Sequence, residues 1–303
     1  MFYLLVPLVL AGSFPLFFMD LGLDPVGPMA QLNIFGHFAF FALLSWYLSS
    51  LPYMAGIHIC RQILWVLLAV LFLGGAIELI QGYLGRTPAW KDLGVNLLGG
   101  LFGLLFFASG RARIPGFLLK SGQVMVLALC FFMFYGPVVT LWDMHMAARQ
   151  FPVLSSFETR FESKRWIGGE IDHELSRIGS ASLRVELRPQ RYSGTTFWRS
   201  FGNWEGYEVF SLSIHNPEPD PLDMTISISD REHSVKRGGF HDRFNRELTL
   251  EKGWNDIRIQ VSEIENAPAQ RSMDLSRLSY VVIFAMDLSE PRTIYLDDVR
   301  LIP

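Results

Sequence analysis

Ile63-Leu64-Trp65-Val66-Leu67-Leu68-Ala69-Val70-Leu71-Phe72-Leu73-Gly74-Gly75-Ala76-Ile77-Glu78-Leu79-Ile80 is apolar almost throughout and carries one charge, near its end. A bilayer core of ~30 Å needs about 20 such residues in a helix, so this stretch reads as a membrane span. Working outward, Phe2–Phe18, Ile34–Leu51, Leu93–Ser109 and Val124–Trp142 have the same character, and none of the five contains Lys or Arg. Five buried helices of a soluble core would need amphipathic helices to cover them, and no such segments remain. Phe2–Phe18 has no basic residue before it and no small-x-small cleavage site ahead of Asp20, so it reads as an uncleaved helix.

The composition changes sharply after these spans. Residues 1–144 hold six Lys/Arg and five Asp/Glu, out of 26 and 29 in the 303-residue chain. The expected architecture is multi-domain. An α-helical transmembrane bundle of about five helices (residues 1–142) is followed by a linker (143–156) and an all-β sandwich (157–303). This pattern disfavours a disordered chain, a disulfide scaffold and a basic-patch nucleic-acid binder. Cys60 and Cys130 both sit in or beside the apolar helices, so the second half has no disulfide framework and no cysteine zinc site.

Lys and Arg in the short loops set the expected orientation. Arg61, Arg111, Arg113 and Lys120 fall on one side, Arg86 and Lys91 on the other. The four-residue side is expected to be cytoplasmic, in a bacterial-type inner membrane. With five spans, the domain after residue 143 would then be periplasmic. Membrane lipids are the expected surroundings of the first half.

Polar residues inside the spans are few. Glu78 and Gln81 share a helix face, Arg86 follows, and Asp92 and Asn96 lie one turn apart. His37 is the ionisable residue of the second span, and such a group is costly in a membrane unless it is paired or used. Gly99-x-x-x-Gly103 offers the close-approach pattern of packed membrane helices.

The set His37-Phe38, Glu78-x-x-Gln81, Gly85-Arg86-Thr87 and Asp92-x-x-x-Asn96-x-x-Gly99 resembles the VanZ-like membrane protein family over about residues 1–110. That resemblance implies a small helical membrane protein, linked in some members to glycopeptide-antibiotic tolerance, and implies no agreed reaction. The base that often precedes the first motif in that family is missing from Asn33–Gly36. The residues allow two readings. In the first, Glu78 pairs with Arg86, Asp92 caps a helix and Asn96 bonds across helices. In the second, His37, Glu78, Arg86 and Asp92 are candidate catalytic groups, with Gln81 and Asn96 binding a polar head group.

From Phe157 the apolar runs become short and alternating, as in Leu183/Val185/Leu187, Ile257/Ile259/Val261 and Ile294/Leu296. Nine strands are expected: Phe157–Glu162, Ser182–Arg188, Thr195–Phe201, Tyr207–His215, Asp223–Asp230, Asn245–Leu250, Asn255–Val261, Tyr280–Met286 and Thr293–Leu301. They predict a jelly-roll β-sandwich. Phe157-Glu158, Gly179-Ser180-Ala181-Ser182-Leu183, Trp204-Glu205-Gly206-Tyr207, Gly253-Trp254-Asn255 and Tyr295-Leu296-Asp297-Asp298-Val299-Arg300-Leu301 resemble carbohydrate-binding modules of the galactose-binding-like type.

Trp204 and Trp254 read as packing residues. Trp166, Tyr192 and Trp198 read as sugar-stacking candidates, because an aromatic face takes C–H groups while polar neighbours take hydroxyls. The 230–245 connection gathers Asp230, His233, His241, Asp242, Arg243 and Asn245, with Arg271 and Asp274 later, around Gly238-Gly239. It reads as a loop held by an Arg–Asp pair, as a rim for a hydroxyl-rich ligand, or as a metal site. The resemblance also implies a structural calcium ion between the first and last strands. Glu158 and Asp298 would be its ligands, with Asp298 taken as the inward member of Asp297-Asp298; the alternative pairs Glu158 with a base such as Arg300.

The functional expectation is recognition of a cell-envelope glycan or glycolipid, with the bundle as anchor. A membrane enzyme acting on a lipid-linked envelope substrate and a structural partner-binding protein are the alternatives.

Overall fold

The computed structural model describes residues 2–13, 17, 28–84, 90–198 and 202–303. They form two units, Met1–Leu141 and Trp142–Pro303.

The first unit is helical: α1 (Phe2–Ser13), α2 (Pro28–Ser49), α3 (Ile59–Tyr83), α4 (Trp90–Phe102) and the start of α5 (Gly116–Gln150). Four segments among the described residues are long and apolar enough to cross a membrane, namely Gln31–Ser49, Ile59–Tyr83, Trp90–Phe107 and Gly116–Gln150. The remaining expected span, Phe2–Phe18, begins as α1 (Phe2–Ser13) and lies partly outside the described residues. Helix α4 widens into a π-helical turn over Gly103–Phe107, which completes its span. Helices α2 and α4 touch backbone to backbone. A Cβ at Gly99 would collide with the Phe38 carbonyl, and one at Gly103 with the Ala42 carbonyl. The small-residue spacing expected for close approach is thus the spacing of the contact.

The second unit is built from β1 (Val153–Ser155), β2 (Trp166–Ile167), β3 (Glu170–Asp172), β4 (Ser182–Leu187), β5 (Tyr192–Phe197), β6 (Val209–Asn216), β7 (Leu222–Asp230), β8 (Phe244–Leu250), β9 (Gly253–Gln260), β10 (Leu278–Met286) and β11 (Arg292–Ile302). One sheet runs β3-β4-β11-β6-β9 with β1 on the end of β11, and the other runs β2-β5-β10-β7-β8. Alternation drives the layering. Leu183, Val185, Leu187, Leu212, Ile294 and Leu296 face inward from the first sheet; Phe197, Ile226, Ile228, Val281 and Ile283 meet them from the second. Each such side chain removed from water contributes about 1.5–3 kcal/mol, which offsets the ordering of short strands.

Eight of the nine expected strands are present. Phe157–Glu162 is not one. Its chain turns at Phe157, which has positive φ, and Glu162 accepts the backbone N–H groups of Ser156 (2.7 Å) and Phe157 (3.0 Å). The expected linker 143–156 is also structured. Its first part completes α5, and Val153–Ser155 pairs with β11. The cause is a buried ion pair that no spacing announces. The Arg165 guanidinium donates to both oxygens of Asp143 (2.8–3.2 Å) and to the Leu154 carbonyl (2.9 Å), with Glu162 3.7 Å away.

Candidate functional site

The solvent face of the second sheet carries the arrangement with most binding character. Inward Val281, Ile283 and Ala285 leave Tyr280, Val282, Phe284 and Met286 facing out from β10. Register sets Val282 beside Thr196 and Ser227, and Phe284 beside Gly194 and Thr225. Ser227 in turn lies beside Asn245 on β8. A groove of about 420 Å³ opens over Tyr192, Gly194, Thr196, Ser227, Arg243 and Phe284. Gly194 is required there, because a Cβ would collide with the Ile283 carbonyl and the Phe284 backbone.

Rings and polar atoms alternate along this groove. Tyr192, 53% exposed, meets Phe284 edge-on at 5.7 Å. The Arg191 guanidinium lies over the Tyr192 ring at 5.3 Å, and that of Arg243 over Phe240 at 5.8 Å. Asn245 donates from Nδ2 to the Phe240 carbonyl (3.1 Å). Its Oδ1 and the Arg243 Nε are buried and have no partner among the described residues. Such atoms cost free energy until an acceptor or donor arrives.

The sequence therefore named two residues that line this groove, Tyr192 and Arg243, and Asn245 on the strand that borders it. It missed Phe284 and Phe240. The signal for Phe284 was present: Tyr280–Met286 is apolar on both faces, and an outward apolar row on a sheet asks for something to cover it.

Other candidates are placed elsewhere. Trp166 is core: it packs on Phe197 (4.9 Å) and Phe157 (5.8 Å), and its Nε1 donates to Ser155 Oγ (3.0 Å). Trp198 is half-buried and its indole N–H donates to the Lys164 carbonyl (3.0 Å). Trp204 is fully buried against Phe210, as expected. Trp254 is not core. It stands part-exposed on the outer face of the first sheet, 5.1 Å from the His215 ring, with Tyr295 on the other side of that ring at 6.1 Å. Burial lowers the His215 pKa.

The 230–245 loop is closed on itself. Arg271 donates to Asp230 (2.5 and 3.0 Å) and to Asp242 (2.7 and 3.1 Å), and His233 Nδ1 lies 3.1 Å from Asp242. A Cβ at Gly238 would strike Asp242 and His233, which is why glycine stands there. The Arg271 hydrogen bond holds the Asp242 carboxyl below its ordinary pKa. Burial alone would raise that of Asp230, but Arg271 and the amides of His233 and Asp274 together lower it. His233 and Arg271 thus lock the loop, the first of the three readings, while His241 is exposed. Among the described residues no three His, Cys, Asp or Glu side chains converge as a metal site.

The calcium expectation meets the wrong donors. Glu158 accepts from the Ser180 amide (2.8 Å) and hydroxyl (2.7 Å) and from the Ala181 amide (3.3 Å), which lowers its pKa. Asp298, at positive φ, pairs with Arg300. The inward carboxylate is Asp297, 1% exposed, which accepts from the amides of Arg177 (2.6 Å), Ile178 (3.0 Å) and Asp298 (2.7 Å). A cation needs oxygen lone pairs, whereas these carboxylates face N–H, O–H and guanidinium groups. The residues do not fit the ion.

In the helical unit, His37 Nδ1 lies 2.8 Å from Asn96 Oδ1, both residues being buried. An amide oxygen only accepts, so in this contact the imidazole is the donor. His37 Nε2 and Asn96 Nδ2 have no partner among the described residues. Gln81 donates to the Phe17 carbonyl (2.8 Å), and Phe17 meets the His37 ring at 4.6 Å. Glu78 is buried on the same face of α3 as Gln81. Asp92 is part-exposed in the first turn of α4, where the helix dipole favours a carboxylate. Arg86 lies outside the described residues.

No protein-family profile matches the chain, and no curated protein matches it. Among solved structures, an exo-beta-agarase aligns with TM-score 0.40 and 13% identity over 50% of this chain, which spans about a quarter (24%) of that enzyme. The family 11 carbohydrate-binding module from Clostridium thermocellum, in complex with a beta-1,3-1,4-mixed-linked tetrasaccharide, aligns with TM-score 0.38 and 16% identity, over 50% of this chain and 94% of the module. A carbohydrate-binding module specific for non-crystalline cellulose aligns with TM-score 0.36 and 16% identity, over 50% and 93%.

Proposed function

We propose that this is a membrane-anchored receptor for a cell-envelope glycan or glycolipid, bound in the groove on the outer face of the second sheet. The observation that carries the reading is a groove lined by the exposed Tyr192 ring and the half-buried Phe284 ring, with the unpartnered Arg243 Nε in its wall and Asn245 Oδ1 on the bordering strand. Stacked rings take the apolar face of a sugar, and the polar atoms take its hydroxyls. The helical unit is the anchor in an inner membrane, consistent with its four apolar helices. The loop charges favour a periplasmic sandwich. The domain after α5 lies across the membrane from Arg111, Arg113 and Lys120 whether or not α1 crosses, since α1 moves only the N-terminus. The test is a glycan array probed with the full chain in detergent. Binding that weakens at least about tenfold in Tyr192→Ala and Phe284→Ala supports the reading, since a stacked ring contributes about 0.5–1.5 kcal/mol beyond its area. Absence of binding to any envelope glycan would end it.

A second reading rests on the helical unit. A buried imidazole that meets Asn96 through Nδ1, with no partner at Nε2 among the described residues, suits an enzyme acting on a lipid-linked envelope substrate. Turnover of lipid-linked saccharides by the reconstituted protein, lost in His37→Gln and retained in Tyr192→Ala, would favour it over the first.

A further inference from the structure

We infer that the saccharide recognised by this groove is anionic, bearing a carboxylate or a sulfate ester; the inference rests on the glycan-binding reading above. The groove lining of Tyr192, Ser193, Gly194, Thr196, Ser227, Arg243, Val282 and Phe284 contains one charge, the Arg243 cation, and no acid. Arg243 and Arg191 both rest on rings, Phe240 and Tyr192, and neither has a carboxylate partner among the described residues. Several other arginines of this unit are neutralised, Arg165 by Asp143, Arg177 by Asp256, and Arg271 by Asp230 and Asp242. The Arg243 Nε–H is buried as well as unpaired, so the site holds an unmet demand for an acceptor.

A guanidinium laid on an aromatic face keeps its planar fork preset for two parallel hydrogen bonds, the geometry that a carboxylate or sulfate offers and a hydroxyl does not. Acids on the same sheet face are kept apart from this end. Asp223, Glu247 and Asp287 line a separate depression, where Asp223 accepts the Thr249 hydroxyl at 2.6 Å. The face is therefore polar end to end, with the anion at the Arg243 end and neutral hydroxyls toward the acids.

The experiment titrates the full chain in detergent with matched probes: an oligouronide and its carboxyl-reduced form, and a sulfated oligosaccharide and its desulfated form. One anionic member should bind about tenfold or more tightly than its neutral partner, with the preference shrinking as salt rises. Arg243→Gln should erase the preference, and Arg243→Lys should recover only part of it, a point charge replacing a fork. Phe240→Leu, which removes the ring beneath the Arg243 guanidinium but not its charge, should shrink the preference and gives an independent check should Arg243 variants unfold. Equal or tighter binding of the neutral members overturns the anion inference and leaves the glycan reading standing. Binding of no probe or array glycan overturns both.

Discussion

Asp230 is fully buried and carries a charge, so its partners decide whether the loop that begins there holds. Arg271 supplies most of them and also clamps Asp242. Both carboxyls sit below their ordinary pKa, which makes the clamp a stability term that exists above the unfolded Asp value of about 3.9 and fades as pH falls through the lower folded values. Thermal melting of the full chain between pH 6 and pH 2.5 should therefore show stability declining below about pH 4. Arg271→Gln should lower stability at pH 6 by about 3 kcal/mol, because it strands a buried carboxylate, and should flatten the decline. An Arg271→Gln protein as stable as the wild type would contradict the clamp. The donors around Glu158 and Asp297 give a second expectation at this scale: millimolar calcium and chelator should yield the same Tm. A Tm raised by calcium would mean that an ion displaces those amides.

At the level of elements, Gly99 and Gly103 hold α2 and α4 in backbone contact. Gly99→Leu must push the helices apart, costing at least the 1–3 kcal/mol typical of overpacking, and should release α2 from α4 in a cysteine cross-linking assay between them. Cross-linking at wild-type yield would contradict the packing. Arg165→Met should cost about 3–5 kcal/mol, since Asp143 and Glu162 would remain buried without their cation.

These two predictions differ in how far the sequence announced them. The glycine spacing is local, so it was readable. The Arg165 cluster joins residues 22 apart whose types are ordinary in any loop, so 143–156 looked like a tether and Phe157–Glu162 like a strand. Strands with strict alternation, such as Ser182–Leu187, were legible because one buried face fixes their period. Trp254 misled because residue type does not tell which face of β9 is inside; the register against His215 does.

For the whole molecule, one half is helical and apolar and the other is a sandwich, a division plain from charge density alone. The groove was half legible: Tyr192 opens β5 and Arg243 and Asn245 stand at the start of β8, two strands that only the sheet order β5-β10-β7-β8 brings onto one face. The topology expectation belongs here too. A reporter active only outside the cytoplasm should be active after Leu154 and silent after Arg113, and the reverse would place the sandwich in the cytoplasm. The most direct measurement of the central claim is hydroxyl-radical footprinting of the full chain with and without a glycan that binds it. The account predicts protection of Tyr192, Phe284 and Met286, with Tyr295 and Trp254 on the opposite sheet unchanged. Protection of Tyr295 and Trp254 instead, with Tyr192 and Phe284 as reactive as in the free protein, would contradict it.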